Sequence, residues 1–175
     1  MIESFKQMTY IFSEDMKAHG VKSLFIIFLP GDKANIVQYQ FYMRFLEFSS
    51  KYKALFLLTL VFKYLYIKKG EQLGFSIPIN TFGSGLWIVH KGTIVINSEA
   101  RIGRNCRIHV CVNIGKSPIG NGNAPVIGDN CYIGPGVKIF GDIEIGSGSM
   151  IGANAVVNKS FPGGGKIIGV PARRV

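Results

Sequence analysis

In the second half of this chain, isoleucine followed by glycine returns at intervals of six or twelve residues, with one interval of thirteen between Ile114 and Ile127. Ile102-Gly103, Ile114-Gly115, Ile127-Gly128, Ile133-Gly134, Ile145-Gly146 and Ile151-Gly152 carry the pattern. Ile96, Ile108, Ile139 and Val157 hold the same phase without the glycine. Four places after each aliphatic stands another small or branched residue: Ala100, Cys106, Val112, Cys131, Val137, Ile143, Ser149 or Ala155. A helix repeats its apolar face every 3.6 residues and a half-buried strand every two. A period of six fits neither, and it predicts a parallel β-helix of hexapeptides, three to a coil, in which roughly every eighteenth residue stacks on its predecessor. Glycine behind the aliphatic is expected to clear the corner of each turn.

The period breaks once. Lys116 to Val126 reads Lys-Ser-Pro-Ile-Gly-Asn-Gly-Asn-Ala-Pro-Val, turn chemistry throughout, and predicts a loop at 116–126 thrown out of an otherwise rigid stack. The repeat region is expected over 73–175, with a tail at 161–175 that leaves the period and folds back along the last coils. Residues 1–72 lack the period and read as a helical, aromatic-rich subdomain. A helix is predicted from Glu3 to His19, ended by Gly20. An apolar segment from Lys22 to Leu29 is stopped by Pro30-Gly31, and two further helices follow, Ile36 to Ser49 and Lys51 to Lys69.

The last of these contains Ala54 to Phe62, almost wholly apolar, with Lys51, Lys53, Lys63, Lys68 and Lys69 around it. Nine such residues are too few to span a bilayer, which takes about 20. Two readings stay open. The helices pack on themselves or on a partner subunit, or residues 36–69 make a peripheral contact with an anionic membrane face.

Composition narrows the class of partner. Charged residues are 17% of the chain and the net charge is +10. No basic run of nucleic-acid type occurs, so no nucleic-acid partner is expected; the excess reads as a generally basic surface, with an anionic membrane face or an anionic small ligand as the sharper alternatives. Cys106, Cys111 and Cys131 form no C-x-x-C pair. Two of them fall at inward positions of the repeat and read as reduced core residues of a cytoplasmic protein. The first residues lack the pattern of a secretory signal.

Three histidines are the candidates for acid–base work. His19 reads as a surface or helix-end residue. His109 directly follows the aliphatic Ile108 and could line a substrate site. Counting back by sixes from Ile102 and Ile96 lands on His90, so an imidazole is expected where later units carry Ile or Val; a hydrogen-bonded core histidine or a shift of phase at the start of the coil is the alternative. A buried polar ring costs free energy unless bonded, and such an exception to a repeat is where function is expected.

The stretch Gly85 to Asn97, Ala100 to Gly103, Val112 to Gly115, Ile133 to Gly141, Ile151 to Val157 and the ending Gly169-Val-Pro-Ala-Arg173 together resemble the serine O-acetyltransferase branch of the hexapeptide-repeat acyltransferases. The resemblance implies a mostly-β fold, a left-handed parallel β-helix behind N-terminal helices. It also implies an acetyl-CoA donor, no metal, and a homotrimer with active sites between neighbouring subunits. By the motif match His90 is the general base, with Gly115, Pro135 and Ala153 along the pantetheine and Lys159 and Arg173, beside Lys166 and Arg174, toward the CoA phosphates.

The sequence departs from that family where the amino acid would be held. Val89 stands in place of an acidic residue, Asn123-Ala124 in place of an Arg-His pair on the loop, and Phe75 in place of the Asp that orients the base. Serine would then sit with its charges unmet. The expectation is therefore an O-acetyltransferase acting on a saccharide hydroxyl, polymeric or lipid-linked, in capsule or exopolysaccharide synthesis, in the cytoplasm or at the inner membrane face. His109, Asn113, Asn121 and Asn123 would read the polyol, and Glu99 is one candidate to orient His90. Serine or another small hydroxylated metabolite is the alternative acceptor, and a non-enzymatic trimeric, membrane-associated scaffold the second.

Overall fold

The computed structural model describes residues 2–117 and 122–175. Asn121 lies outside the described residues.

Three α-helices come first: α1 (Phe5–Ala18), α2 (Asp32–Ser49) and α3 (Phe56–Leu73). Ser4 caps α1 by accepting the Gln7 N–H at 3.1 Å, the usual use of a hydroxyl before a first turn. The apolar segment after Gly20 becomes a 3₁₀ turn, Leu24–Phe28, and α2 starts four residues before the predicted Ile36, directly behind Gly31. A left-handed Gly74 ends α3.

The helices are fastened to the coil by a polar network as well as by apolar contact. Ile36, Tyr39 and Met43 share one continuous core with Leu73, Phe75, Ile77 and the inward aliphatics of the coil. Arg44, 1% exposed, lies at the centre of the network. It pairs with Asp15 at 2.8 Å and Glu47 at 2.9 Å, and donates to the Phe82 and Gly83 carbonyls at 2.9 and 2.6 Å. Asp15 accepts the Leu86 N–H at 2.8 Å, Glu47 the Asn80 N–H at 2.7 Å, and Gln40 donates to the Leu86 carbonyl at 2.8 Å. Each carboxylate thus bridges a helix to the start of the coil. His19, read from sequence as a surface or helix-end residue, caps the end of α1 but is buried, at 6% exposure.

From Phe75 the chain winds into the parallel β-helix that the repeat predicts, left-handed as the family resemblance implies. Strands β1 (Phe75–Ser76), β3 (Ile94–Ile96), β6 (Val112–Gly115), β9 (Lys138–Phe140) and β12 (Val156–Val157) stack on one face, sheet A. Sheet B holds β4 (Arg101–Ile102), β7 (Val126–Ile127) and β10 (Glu144–Ile145). Sheet C holds β2 (Trp87–Ile88), β5 (Arg107–Ile108), β8 (Tyr132–Ile133), β11 (Met150–Ile151), β13 (Lys166–Ile168) and β14 (Arg173–Arg174). Ile88, Ile108, Ile133, Ile151 and Ile167 form one inward column, each 0% exposed.

The glycines behind the aliphatics, Gly115 excepted, act between coils rather than through backbone freedom. A Cβ on Gly134 would lie 2.8 Å from the Ile151 carbonyl oxygen, and one on Gly103 would lie 2.6 Å from the Asp129 amide nitrogen of the next coil. The left-handed backbone of the corners falls instead to other residues, Asn105, Asn130 and Asn154 among them, and to glycines such as Gly136 at φ 75°. Short polar side chains tolerate that conformation best among non-glycines.

Two expectations need correction. His90 is not in the core column: the corner from Ile88 to Ile96 is two residues longer than that from Ile108 to Ile114. This places Ile88 inward and leaves His90 exposed. An imidazole among isoleucines would lose its hydrogen bonds, and the longer corner avoids that cost. Nor does the tail leave the repeat at 161. Phe161 bridges Ile145 and Ile167 pairs with Ile151, so the stack continues. The chain turns back only at β14, antiparallel to β13.

Candidate active site

The corner between sheets C and A gathers the most chemistry. His90 follows β2 there, exposed, with Lys91 beside it held by Asp32 of α2 at 3.1 Å. One coil on, His109 follows β5, and its ring centroid lies 6.4 Å from that of His90. His109 is half-buried, its Nε2 has no hydrogen-bond partner, and its ring lies 5.1 Å from Tyr132. Desolvation first, then the Arg107 and His90 charges, hold it below the usual imidazole range, which keeps it neutral near pH 7. Further down the same corner stand Pro135 and Ala153, linked by the Asn154 N–H donating to the Pro135 carbonyl at 2.9 Å.

The other predicted residues sit elsewhere on the coil. Asn113 points outward from sheet A and accepts from Lys138 Nζ at 3.1 Å; that ammonium also bonds the Cys111 carbonyl at 2.6 Å. Gly115 ends β6, at the far edge of sheet A, with nothing within 4 Å of where a Cβ would stand. Lys159 follows β12 at that same edge, its ammonium 5.5 Å over the Phe161 ring. Arg173 is exposed in β14, beside Ala172, whose N–H donates to the Val156 carbonyl. Asn123 lies near sheet B and donates to Asp142 at 3.3 Å, in a cleft shared with Glu99, Arg101 and Glu144.

One chain therefore joins His90 with His109, Pro135 and Ala153. It does not bring Asn113, Asn123, Gly115 or Lys159 to them. Glu99 pairs with Lys116 at 2.6 Å on another corner, so within the chain it does not orient His90. Phe75 is a core residue, edge-on to Tyr39 at 5.2 Å.

Sequence reasoning passed over the neighbours of His109. Trp87, Arg107 and Tyr132 are adjacent outward positions on β2, β5 and β8. The Arg107 guanidinium carbon lies 4.2 Å over the Trp87 ring and 5.4 Å from the Tyr132 ring centroid. The available signal was register: Arg107 lies two places before His109, on the same outward face.

Comparison with known proteins gives a consistent picture. Residues 124–159 match the family model for the bacterial transferase hexapeptide (six repeats). The serine acetyltransferase of Mycobacterium tuberculosis is 38% identical over 97 residues, 55% of this chain and 42% of that protein. The serine acetyltransferase of Staphylococcus aureus is 38% identical over 99 residues, 56% of this chain and 46% of that protein. The chain thus spans less than half the length of these curated relatives. The crystal structure of Neisseria gonorrhoeae serine acetyltransferase in complex with serine aligns with a TM-score of 0.73 at 27% identity, covering 98% of this chain and 70% of that one.

The chain is a hexapeptide-repeat protein similar to serine acetyltransferases. This overturns the saccharide acceptor, and with it the capsule or exopolysaccharide assignment, that Val89 and Asn123-Ala124 led us to expect. Losing particular contacts to an amino acid removes one way of holding it. It does not build a site for a sugar.

Proposed function

We propose that this chain is an acetyl-CoA-dependent O-acetyltransferase whose acceptor is serine, with His90 as general base. The observation that carries the reading is the match, over nearly the whole chain, to a serine acetyltransferase in complex with serine. An accessible imidazole at the motif position supports it. Neutral His90 takes the proton of the acceptor hydroxyl as that oxygen forms a bond to the thioester carbonyl carbon. The tetrahedral intermediate then collapses, the C–S bond breaks, and the imidazolium returns its proton to the departing CoA thiolate. No acyl-enzyme forms. Gly115, Pro135 and Ala153 offer small surfaces for the pantetheine and Lys159 and Arg173 cations for phosphate, but on two edges of sheet A. A groove lined by two copies of the chain reconciles them, and a homotrimer is part of the proposal.

His90→Ala tests it by thiol release from acetyl-CoA with serine as acceptor. A fall in kcat of about a hundred- to ten-thousand-fold in a variant that stays folded is the expected result. Unchanged turnover would sink the assignment.

The reading extends to location: a cytoplasmic enzyme with a peripheral membrane contact through residues 36–69. No helix among the described residues is long and apolar enough to cross a membrane. Yet α3 leaves Phe56, Leu57, Leu60, Val61 and Tyr64 exposed, Leu57 at 76%, with Lys63 and Lys68 among them. An apolar face rimmed by ammonium groups suits an anionic lipid surface. Co-sedimentation with anionic but not zwitterionic vesicles is expected. Equal failure with both would remove this part.

A further inference from the structure

We propose that Arg107 and His109 form an anion subsite beside His90 that takes the carboxylate of the acceptor. The inference rests on the serine reading and supplies what the sequence lacks, since Asn123-Ala124 leave the loop without a cation.

Three observations carry it. The Arg107 guanidinium packs over two aromatic rings, its carbon 4.2 Å from the Trp87 centroid and 5.4 Å from that of Tyr132. Arg107 forms no ion pair among the described residues, and its Nε is buried with no acceptor. His109 Nε2, two places along the same outward face, is likewise buried and unpartnered. Buried donors without acceptors are uncommon and costly, so two of them together mark a place where something binds. A planar guanidinium matches a carboxylate in shape and charge. The cation–π contact with Trp87 restrains the side chain before any ligand arrives, so less side-chain entropy is lost on binding. With its proton on Nε2, the neutral His109 ring donates to the carboxylate and completes the contact. The position is right for the chemistry, because His109 is also the neighbour of His90: a carboxylate anchored there leaves the short side chain of a hydroxy amino acid directed at the base.

Arg107→Met and Arg107→Lys test the subsite, with L-serine and serinamide as the two acceptors. Steady-state thiol release is expected to show the serine KM rising at least about tenfold in Arg107→Met, with kcat within a few-fold and acetyl-CoA KM unchanged. Activity toward serinamide, which has no carboxylate, should hardly move. Arg107→Lys should recover only part of the loss, keeping charge without the fork. Equal losses on serine and serinamide would overturn the subsite, as would no loss on either, or a change in oligomeric state that traced Arg107 to a subunit contact.

Binding gives a second readout independent of turnover. Trp87 is the only tryptophan in the chain, so its fluorescence should respond saturably to serine, weakly to serinamide, and to neither in Arg107→Met. Wild-type protein that binds serine through Arg107 without acetylating it would refute the serine reading and leave the subsite standing. Turnover of serine that ignores Arg107 would do the reverse.

Discussion

Replacing Arg44 with methionine isolates what joins the helices to the coil. Methionine keeps much of the volume and removes the charge. The side chain is buried against Asp15 and Glu47, which are themselves 1% and 3% exposed. Burial pushes the Asp15 carboxyl above its ordinary range against the opposing pull of Arg44, and those two carboxylates hold the guanidinium protonated. Without Arg44, two carboxylates are left buried with no cation, a change that costs about 3–5 kcal/mol. The Phe82 and Gly83 carbonyls also lose their donors. Urea unfolding followed by circular dichroism is expected to show a loss of about that size. The combined variant Arg44→Met, Asp15→Asn, Glu47→Gln removes the stranded charge and should recover a large part of it. The single variant should also lose less on mild acidification, as the raised Asp15 carboxyl takes up a proton. A loss below about 1 kcal/mol, or a triple variant no better than the single one, would refute the argument that stranded charge dominates.

His19 sets a second pH dependence. Desolvation lowers it to about 4 in the folded chain, against an ordinary 6.5, so the native state holds it neutral while the unfolded state binds a proton first. Stability is intact above about 6.5 and falls as pH drops toward 4, by up to about 3 kcal/mol; unfolding curves of wild type and His19→Gln across that window should converge. In the coil, Ile133→Ala empties a fully buried position and should cost about 2–5 kcal/mol by urea titration. Gly136→Ala places a Cβ at φ 75° and against the Asn154 side chain. It should lower Tm by several degrees, whereas alanine at the more open Gly115 should leave Tm nearly unchanged.

The coil was legible because its inward positions answer to one demand, apolar volume at a fixed period. Ile133 stacks on Ile151 and Ile127 on Ile145 as the sixes require. The period failed where a corner changed length. Counting from Ile96 put His90 in the core because two extra residues after Ile88 carry no hydrophobic signature. The same blindness covers the tail, where Phe161 and Ile167 continue the stack after coils shortened to sixteen residues from the eighteen between Ile133 and Ile151. The helices were visible as apolar runs. Their attachment was not, because nothing in the spacing of Asp15, Arg44 and Glu47 says that all three meet the first coil.

The outward positions obey no period, and the site is made of them. Trp87, Arg107 and Tyr132 are brought side by side by register alone, across coils of twenty and twenty-five residues. No local motif connects them. Reading the acceptor from Val89 and Asn123-Ala124 therefore asked which familiar contacts were missing, when the physical question is which charges are left unmatched at the base. A carboxylate can be held by any cation that the coil presents near His90. Arg107 packs over an aromatic neighbour, two places before the His109 that neighbours His90, and no ion pair among the described residues neutralises it. A positive charge so placed is a poor neighbour for a neutral polyol and a good one for an acid. The same face that a search for lost family contacts would discard is thus where an amino-acid acceptor is most easily held.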